Sequence, residues 1–133
     1  MSVVAAALVL FAQAGAAEAA DECDDPQAQQ LMNLCAARDF ESVDAALNEQ
    51  WELTVAVMKE ADAERGRDDA QAGYYDTLLE GQRAWLRYRD AQCLSESFEA
   101  RGGSMQPMLE LHCKTYMTEL RTQQLRLLVS GPE

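Results

Sequence analysis

The sequence is poor in several features, and each shortage argues against a class of protein. Of 133 residues only 11 are Lys or Arg, against 23 Asp or Glu, which gives a formal net charge of −12. A field of this sign repels phosphate groups, so binding to nucleic acid or to anionic lipid is disfavoured. A chain of this length is expected to form one domain with one modest core.

Helix breakers and strand signals are also scarce. The prolines are only Pro26, Pro107 and Pro132, and no segment alternates apolar and polar residues over the length of a strand. The chain contains no internal repeat. We therefore predict an all-α fold.

The residue types that build catalytic or metal sites are few. His112 is the only histidine, and it stands beside Cys113 rather than in a pattern of nucleophile and base. The cysteines form no CxxC pair that one histidine could complete as a zinc site. The acidic pairs at 24–25 and 68–69 lack the spacing of a calcium loop. We expect no catalytic residues, no metal and no cofactor.

Only one long apolar run is present. Val3 to Ala12 has the length of a signal-peptide core, and Ala17 and Ala19 supply small residues at the −3 and −1 positions of a cleavage site. No Lys or Arg precedes the run, which departs from the usual pattern, and a buried N-terminal helix is the alternative. Ten residues cannot span about 30 Å of hydrocarbon as a helix. We predict a signal peptide at 1–19, a single domain at 20–133, and a periplasmic or secreted protein.

Three helices follow from the periodicity. The first is expected to start near Asp25-Pro26, the second to run from about Tyr74 to Glu96, and the third from Met108 to Leu128. Short connections imply antiparallel neighbours and an up-down-up bundle. Each helix has a predicted core face. On the first helix it is a stripe at spacings of three and four, formed by Met32, Ala36, Phe40, Val43, Leu47, Trp51, Thr54 and Met58. On the second helix it is formed by Tyr75, Leu78, Leu79, Trp85, Leu86 and Cys93, and on the third by Leu109, Cys113, Tyr116, Leu120 and Leu127.

Acidic residues lie on the opposite side of the first helix. This stripe is interpreted as a solvated face and, secondarily, as a docking surface; its residues are Glu41, Glu49, Glu52 and Glu60.

Four cysteines suit a small exported domain that uses disulfides, and they allow three pairings. In an antiparallel hairpin, residues equally distant from the turn lie level with each other. Cys93 and Cys113 are equally distant from Gly103, so they are expected to form a disulfide across the glycine turn. The remaining pair, Cys23 with Cys35, would tie the N-terminal segment to the first helix.

The same level matching in the first hairpin brings Asp44 opposite Arg89, Asn48 opposite Trp85, and Trp51 opposite Gln82. Arg89 falls inside a core stripe, where an unpaired charge is costly. We interpret Asp44 and Arg89 as a structural ion pair that fixes the helix register. A catalytic acid–cation pair is the alternative.

Several motifs in this order resemble one family. They are Met32-Asn33-x-Cys35, Asp44-x-x-Leu47-Asn48-x-x-Trp51, Gln82-Arg83-Ala84-Trp85-Leu86-x-x-Arg89-Asp90-x-x-Cys93, Gly102-Gly103-Ser104-x-x-Pro107-Met108, and Cys113 with Thr118-x-x-Arg121. Together they resemble the LprI-type lysozyme-inhibitor domain family, over roughly residues 23–128. The family usually has Tyr where Trp51 stands and Thr where Ala28 stands. The resemblance implies an exported, helical protein that inhibits lysozyme. Because no catalytic constellation is present, we expect a non-enzymatic protein, and we interpret Asn48, Gln82, Trp85 and Arg121 as structural residues alongside Asp44 and Arg89.

The glycine turn has two interpretations. Gly102-Gly103-Ser104 lacks the Lys-Ser/Thr of a phosphate cradle, so it is either a turn that needs a positive φ or a rigid loop that enters a partner's cleft. The loop spans 97–107, and its candidate contact residues are Arg101, Gly102, Gly103, Ser104 and Gln106. An acidic chain would be attracted to a basic lysozyme. The alternative function is a non-enzymatic periplasmic interaction or envelope-stabilising module with another protein partner.

Overall fold

The computed structural model describes residues 22–65 and 70–130, and within them the chain forms three α-helices and no strand. Helix α1 is Gln29–Glu64, α2 is Tyr74–Ser97 and α3 is Gln106–Ser130, with a short 3-10 helix at Phe98–Ala100. The all-α, three-helix prediction is confirmed. The expected signal peptide at 1–19 lies outside the described residues.

Each helix packs against the other two, and α1 has its most extensive contact with α3. The guanidinium of Arg89 on α2 reaches Asp44 on α1, and the hydroxyl of Thr54 on α1 donates a hydrogen bond to the carbonyl of Leu125 on α3 (3.2 Å). This order of contacts is compatible with the predicted up-down-up arrangement.

Both predicted disulfides are present. Cys93 and Cys113 join α2 to α3 with their Cα atoms 5.3 Å apart, and Cys23 and Cys35 are joined with Cα atoms 5.6 Å apart. The Cys23–Cys35 disulfide explains why α1 begins at Gln29 rather than at Pro26. A helix that continued back to Pro26 would carry Cys23 away along its axis, whereas the chain turns before residue 26 and returns Cys23 to Cys35.

The apolar core is small. Leu47, Leu78 and Leu125, one from each helix, form its buried centre. Around them pack partly buried apolar side chains from α1 and α2, namely Trp51, Val55, Met58 and Trp85. The predicted core stripe of α1 is buried or half-buried along its length, and its acidic stripe is exposed, as expected.

The predicted core face of α3 is correct at Leu109 and Cys113, which are half-buried, and wrong beyond them. Tyr116 is 62% exposed and Leu127 57% exposed, and Leu120 is exposed as well. The face that packs inward instead carries Thr118, Thr122 and Leu125.

Thr118 and Thr122 are tolerated on the inward face of α3 because their hydroxyls have partners. Thr122 donates to the carbonyl of Thr118 (3.0 Å), and the Thr118 hydroxyl accepts from Arg89 (3.2 Å). A hydroxyl that keeps a hydrogen bond in this way can be buried at little cost in free energy. Leu86 on α2, also predicted to be buried, lies at the edge of the bundle and is exposed.

Candidate partner-binding loop

The glycine loop connects the 3-10 helix to α3 by a tight turn. Gly102 has φ +78°, a conformation that side chains with a Cβ rarely adopt. The N–H of Gly103 donates to the carbonyl of Ala100 (2.8 Å), and a Cβ on Gly103 would lie 3.1 Å from that oxygen. Both glycines are therefore explained by the turn itself.

Gln106 closes the loop from the inside. Its Oε1 accepts a hydrogen bond from the N–H of Gly102 (2.8 Å), and its Nε2 donates to the hydroxyl of Ser97 (3.2 Å). Ser97 is fully buried and donates in turn to the carbonyl of Leu94 (2.7 Å). The amide of Gln106 thus links the exposed turn to the buried end of α2.

The loop is also fixed to the first helix. The amide of Asn33 donates to the carbonyl of Ser104 (2.9 Å), and Asn33 stands two residues before Cys35. The Cys23–Cys35 disulfide therefore lies at the same end of the bundle as the loop. We call this end the loop end.

Two polar side chains of the loop remain directed at solvent. Arg101 and Ser104 are both exposed, and among the described residues neither side chain has an acidic partner. The guanidinium of Arg101 lies 4.6 Å from the centre of the Phe98 ring. Phe98 and Met105, on either side of the turn, are each 41% exposed.

Phe98 and Met105 were missed by the sequence reasoning. An arginine close to exposed apolar and aromatic side chains is a composition common at the centres of protein interfaces. Their exposure could not be predicted from the sequence, because it depends on how the three helices pack beside the turn.

The residues predicted to be structural lie in one connected network away from the loop, mostly between the helices and with Asn48 at its exposed edge; they are Asp44, Asn48, Gln82, Trp85, Arg89 and Arg121. Its first part surrounds Arg89, whose Nη1 is 3.5 Å from Asp44 Oδ1 and whose Nε is 3.0 Å from Asp90 Oδ1. The guanidinium also lies 5.3 Å from the ring centre of Phe40 and 5.0 Å from that of Trp85.

The second part of the network surrounds Arg121. Its Nε donates to Gln82 Oε1 (2.8 Å), and its guanidinium lies 5.9 Å from the centre of the Trp85 ring. Desolvation by burial lowers the pKa of Arg121 from its usual value. Asn48 completes the set by donating to Asp44 Oδ2 (3.4 Å).

Charge is divided unevenly among the helices. Helix α1 carries eight acidic and two basic residues, whereas α3 carries two acidic and three basic residues. The exposed acidic stripe of α1 therefore provides much of the negative field of the molecule.

His112 is exposed and borders an open groove with Glu96, Glu99, Leu109 and Cys113. Across residues 22–65 and 70–130, no group of three or more His, Cys, Asp or Glu side chains is arranged to hold a metal ion. In the same ranges, no helix combines the length and apolarity that crossing a membrane requires.

The chain belongs to the lysozyme inhibitor LprI family, whose sequence model matches residues 20–125. It is also 42% identical over 127 residues to an uncharacterized protein of Rhizobium meliloti (strain 1021), an alignment that covers 95% of this chain and 91% of that protein. No solved structure matches it. The family that the sequence motifs indicated is therefore confirmed.

Proposed function

We propose that this chain is an exported lysozyme inhibitor that presents the loop 97–107 to the cleft of a basic lysozyme. Export would use the signal peptide at 1–19 and leave a single domain at 20–133 in the periplasm or outside the cell. The observation that carries the proposal is the rigid, exposed turn at the loop end. It places Arg101 and Ser104 beside the apolar side chains of Phe98 and Met105.

The acidic face of α1 supports the choice of a basic partner. Complementary charge accelerates the encounter of two proteins and orients them before contact. Screening by salt shortens the range of this attraction to about 10 Å at 0.1 M ionic strength. Inhibition should therefore be strongest at low salt.

The loop suits a cleft that contains carboxylates. A lysozyme uses two carboxylic residues in its cleft, and the guanidinium of Arg101 and the hydroxyl of Ser104 are hydrogen-bond donors. Gly102, Gly103 and Gln106 fix the turn from which these donors project. Because the turn is already ordered, it would lose little conformational entropy on binding.

A lysozyme turbidity assay with paired variants tests the loop. The double variant Arg101→Ala, Ser104→Ala is expected to raise the inhibition constant at least tenfold, the equivalent of about 1.4 kcal/mol. The matched control is Arg87→Ala, Ser95→Ala, which removes the same charge and the same hydroxyl from exposed positions of α2.

The control variant should inhibit as the parent does across a salt series. Equal inhibition by both double variants would refute the contact role of the loop. Absence of inhibition by the parent at low salt would refute the lysozyme-inhibitor function itself.

The second candidate, a periplasmic interaction module with another protein partner, is favoured by one observation. The outer face of α3 carries an exposed apolar stripe formed by Tyr116, Leu120 and Leu127. Exposed apolar patches of this kind often mark protein contacts. Substitution of Leu120 and Leu127 by Ser would leave lysozyme inhibition unchanged if this stripe serves a different partner.

A further inference from the structure

An open cavity of about 420 Å³ lies at the other end of the bundle, where α1 approaches the start of α2 and the end of α3. We call this end the cavity end. Its walls are mainly apolar and come from all three helices, with Met58, Tyr74, Leu78, Gly81 and Leu128 among them. Among the residues that the structure describes, one charged side chain, that of Arg121, also lines it.

Arg121 differs from the other arginine of the interior network in its partners. Arg89 contacts two carboxylates, those of Asp44 and Asp90. Arg121 is half-buried, yet the oxygens that accept its hydrogen bonds belong to the neutral amides of Gln82 and Gln124 (2.8 and 3.2 Å). Among the described residues, no carboxylate forms an ion pair with it. An anion in the cavity would give this half-buried guanidinium a charged partner, and charge-assisted hydrogen bonds are stronger than those to neutral amides.

Gly81 forms part of the cavity wall. It lies in the interior of α2, where glycine is unfavourable relative to alanine. A Cβ at this position would meet no other atom within 4 Å, so neither packing nor backbone geometry requires glycine here. Because Gly81 lines the cavity, a larger side chain at this position would occupy part of it.

We propose that the cavity binds a small amphiphile with one carboxylate and an apolar chain, of the size of a medium-chain fatty acid. The carboxylate pairs with the guanidinium of Arg121, and the chain lies along the apolar walls beside Gly81. The volume is within the range of about 300–1,000 Å³ usual for small-molecule sites. A planar guanidinium can bind a carboxylate through two parallel hydrogen bonds, which favours this head group over a neutral one.

The test is a calorimetric titration of the purified chain with sodium decanoate, below its micelle concentration, and in parallel with 1-decanol. Decanoate should bind at one site and at least tenfold more tightly than decanol, which has the same chain without the charge. Tryptophan fluorescence of a Trp51→Phe variant, in which Trp85 is the remaining tryptophan, provides a second readout, because the Trp85 ring lies 5.9 Å from the guanidinium of Arg121.

Two leucine variants locate the binding. Gly81→Leu adds a good helix former that occupies the cavity, and should weaken decanoate binding at least tenfold while the helix content by circular dichroism is kept. Ala84→Leu adds the same side chain at an exposed position of α2 outside the cavity, and should bind as the parent does.

No binding of decanoate, equal binding of decanol, or unchanged binding by Gly81→Leu would each overturn the proposal. Lysozyme inhibition should be unaffected by Gly81→Leu, because the proposed contact loop lies at the loop end. The two proposals can therefore fail independently.

Discussion

The two ends of the bundle are held together by different means. At the loop end, two disulfides and the amides of Asn33 and Gln106 hold a glycine turn in one conformation. At the cavity end no cysteine is present, and the start of α2 is held by Asp62 of α1, which accepts hydrogen bonds from the N–H groups of Tyr74 and Tyr75 (both 2.9 Å). One end is cross-linked and exposed, whereas the other is joined by weaker contacts around an open space.

This difference suits the functions proposed for the two ends. A surface that must enter a partner's cleft gains from being ordered in advance. A cavity that must admit a flexible molecule gains from contacts that can yield locally. Four sets of substitutions test how far the two ends differ, and the largest effect is expected at the cross-links.

Removal of the Cys93–Cys113 disulfide by a double substitution to Ala should lower the free energy of unfolding by about 3 kcal/mol. The bond closes a loop with a sequence separation of 20, so its loss increases the entropy of the unfolded chain. Urea unfolding at pH 7 measures the change. The matched control removes Cys23–Cys35, with a separation of 12, and should cost somewhat less. A loss below about 1 kcal/mol for Cys93–Cys113 would mean that hydrogen bonds alone hold the loop end.

Gly102→Ala should destabilise the protein by about 1–2 kcal/mol. At φ +78° the backbone is in the left-handed region, where a Cβ lies too close to the following carbonyl oxygen. Thermal unfolding followed by circular dichroism is a sufficient measurement. An unchanged Tm would contradict the turn conformation described here.

Gly81→Ala, the same substitution at the cavity end, should have the opposite sign. It is expected to stabilise the protein by about 0.5–1 kcal/mol, since alanine favours a helix interior and its Cβ meets nothing within 4 Å. Chemical unfolding of both alanine variants in one experiment compares the two ends directly. Destabilisation by Gly81→Ala would show that the cavity wall is closer than the structure indicates.

Asp62→Asn should have the smallest effect, and one that depends on pH. Hydrogen bonds from the N–H groups of Tyr75 and Tyr74 lower the pKa of the Asp62 carboxyl from its usual value. Its stabilising contribution is therefore fully present above the pKa of the unfolded chain, about 3.9, and is lost as the pH falls through the lower pKa of the folded state.

The parent and Asp62→Asn should accordingly differ in Tm at pH 7 and converge in acid. A difference that is constant with pH would exclude the carboxylate as the source. Asp76→Asn, at an exposed position in the first turn of α2, is the matched control for the change in charge.

Much of the fold could be predicted from the sequence because two kinds of signal agreed. The periodic stripe of α1 and the positions of Gly103 and the cysteines fixed the helix boundaries to within a few residues and identified both disulfides. Level matching also placed Asp44 beside Arg89, which the structure has at 3.5 Å. Both signals depend only on the number of residues between positions in the chain, and that number determines which residues share a helix face or lie opposite each other in a bundle.

The inward face of α3 could not be predicted by hydropathy. This helix has apolar residues on two sides, and the side with the larger residues, Tyr116 and Leu127, faces solvent. The buried side uses Thr118 and Thr122, whose hydroxyls find partners only once the helices are assembled. For the candidate site, the sequence predicts the loop 97–107 and its donors, and their contact role stays a prediction. The apolar neighbours Phe98 and Met105, the role of Gln106 and the cavity at Arg121 all require tertiary contacts.

Arg89 has a consequence for how the domain folds. Its side chain contacts Asp44 and Phe40 of α1, Trp85 of its own helix and Thr118 of α3, so these interactions are complete only when all three helices are in place. A pair of helices without the third would leave Arg89 without at least one of these partners and the small leucine core open. The domain is therefore expected to gain and lose its structure in one cooperative step, with no stable two-helix fragment. Limited proteolysis should accordingly show either the intact bundle or complete digestion.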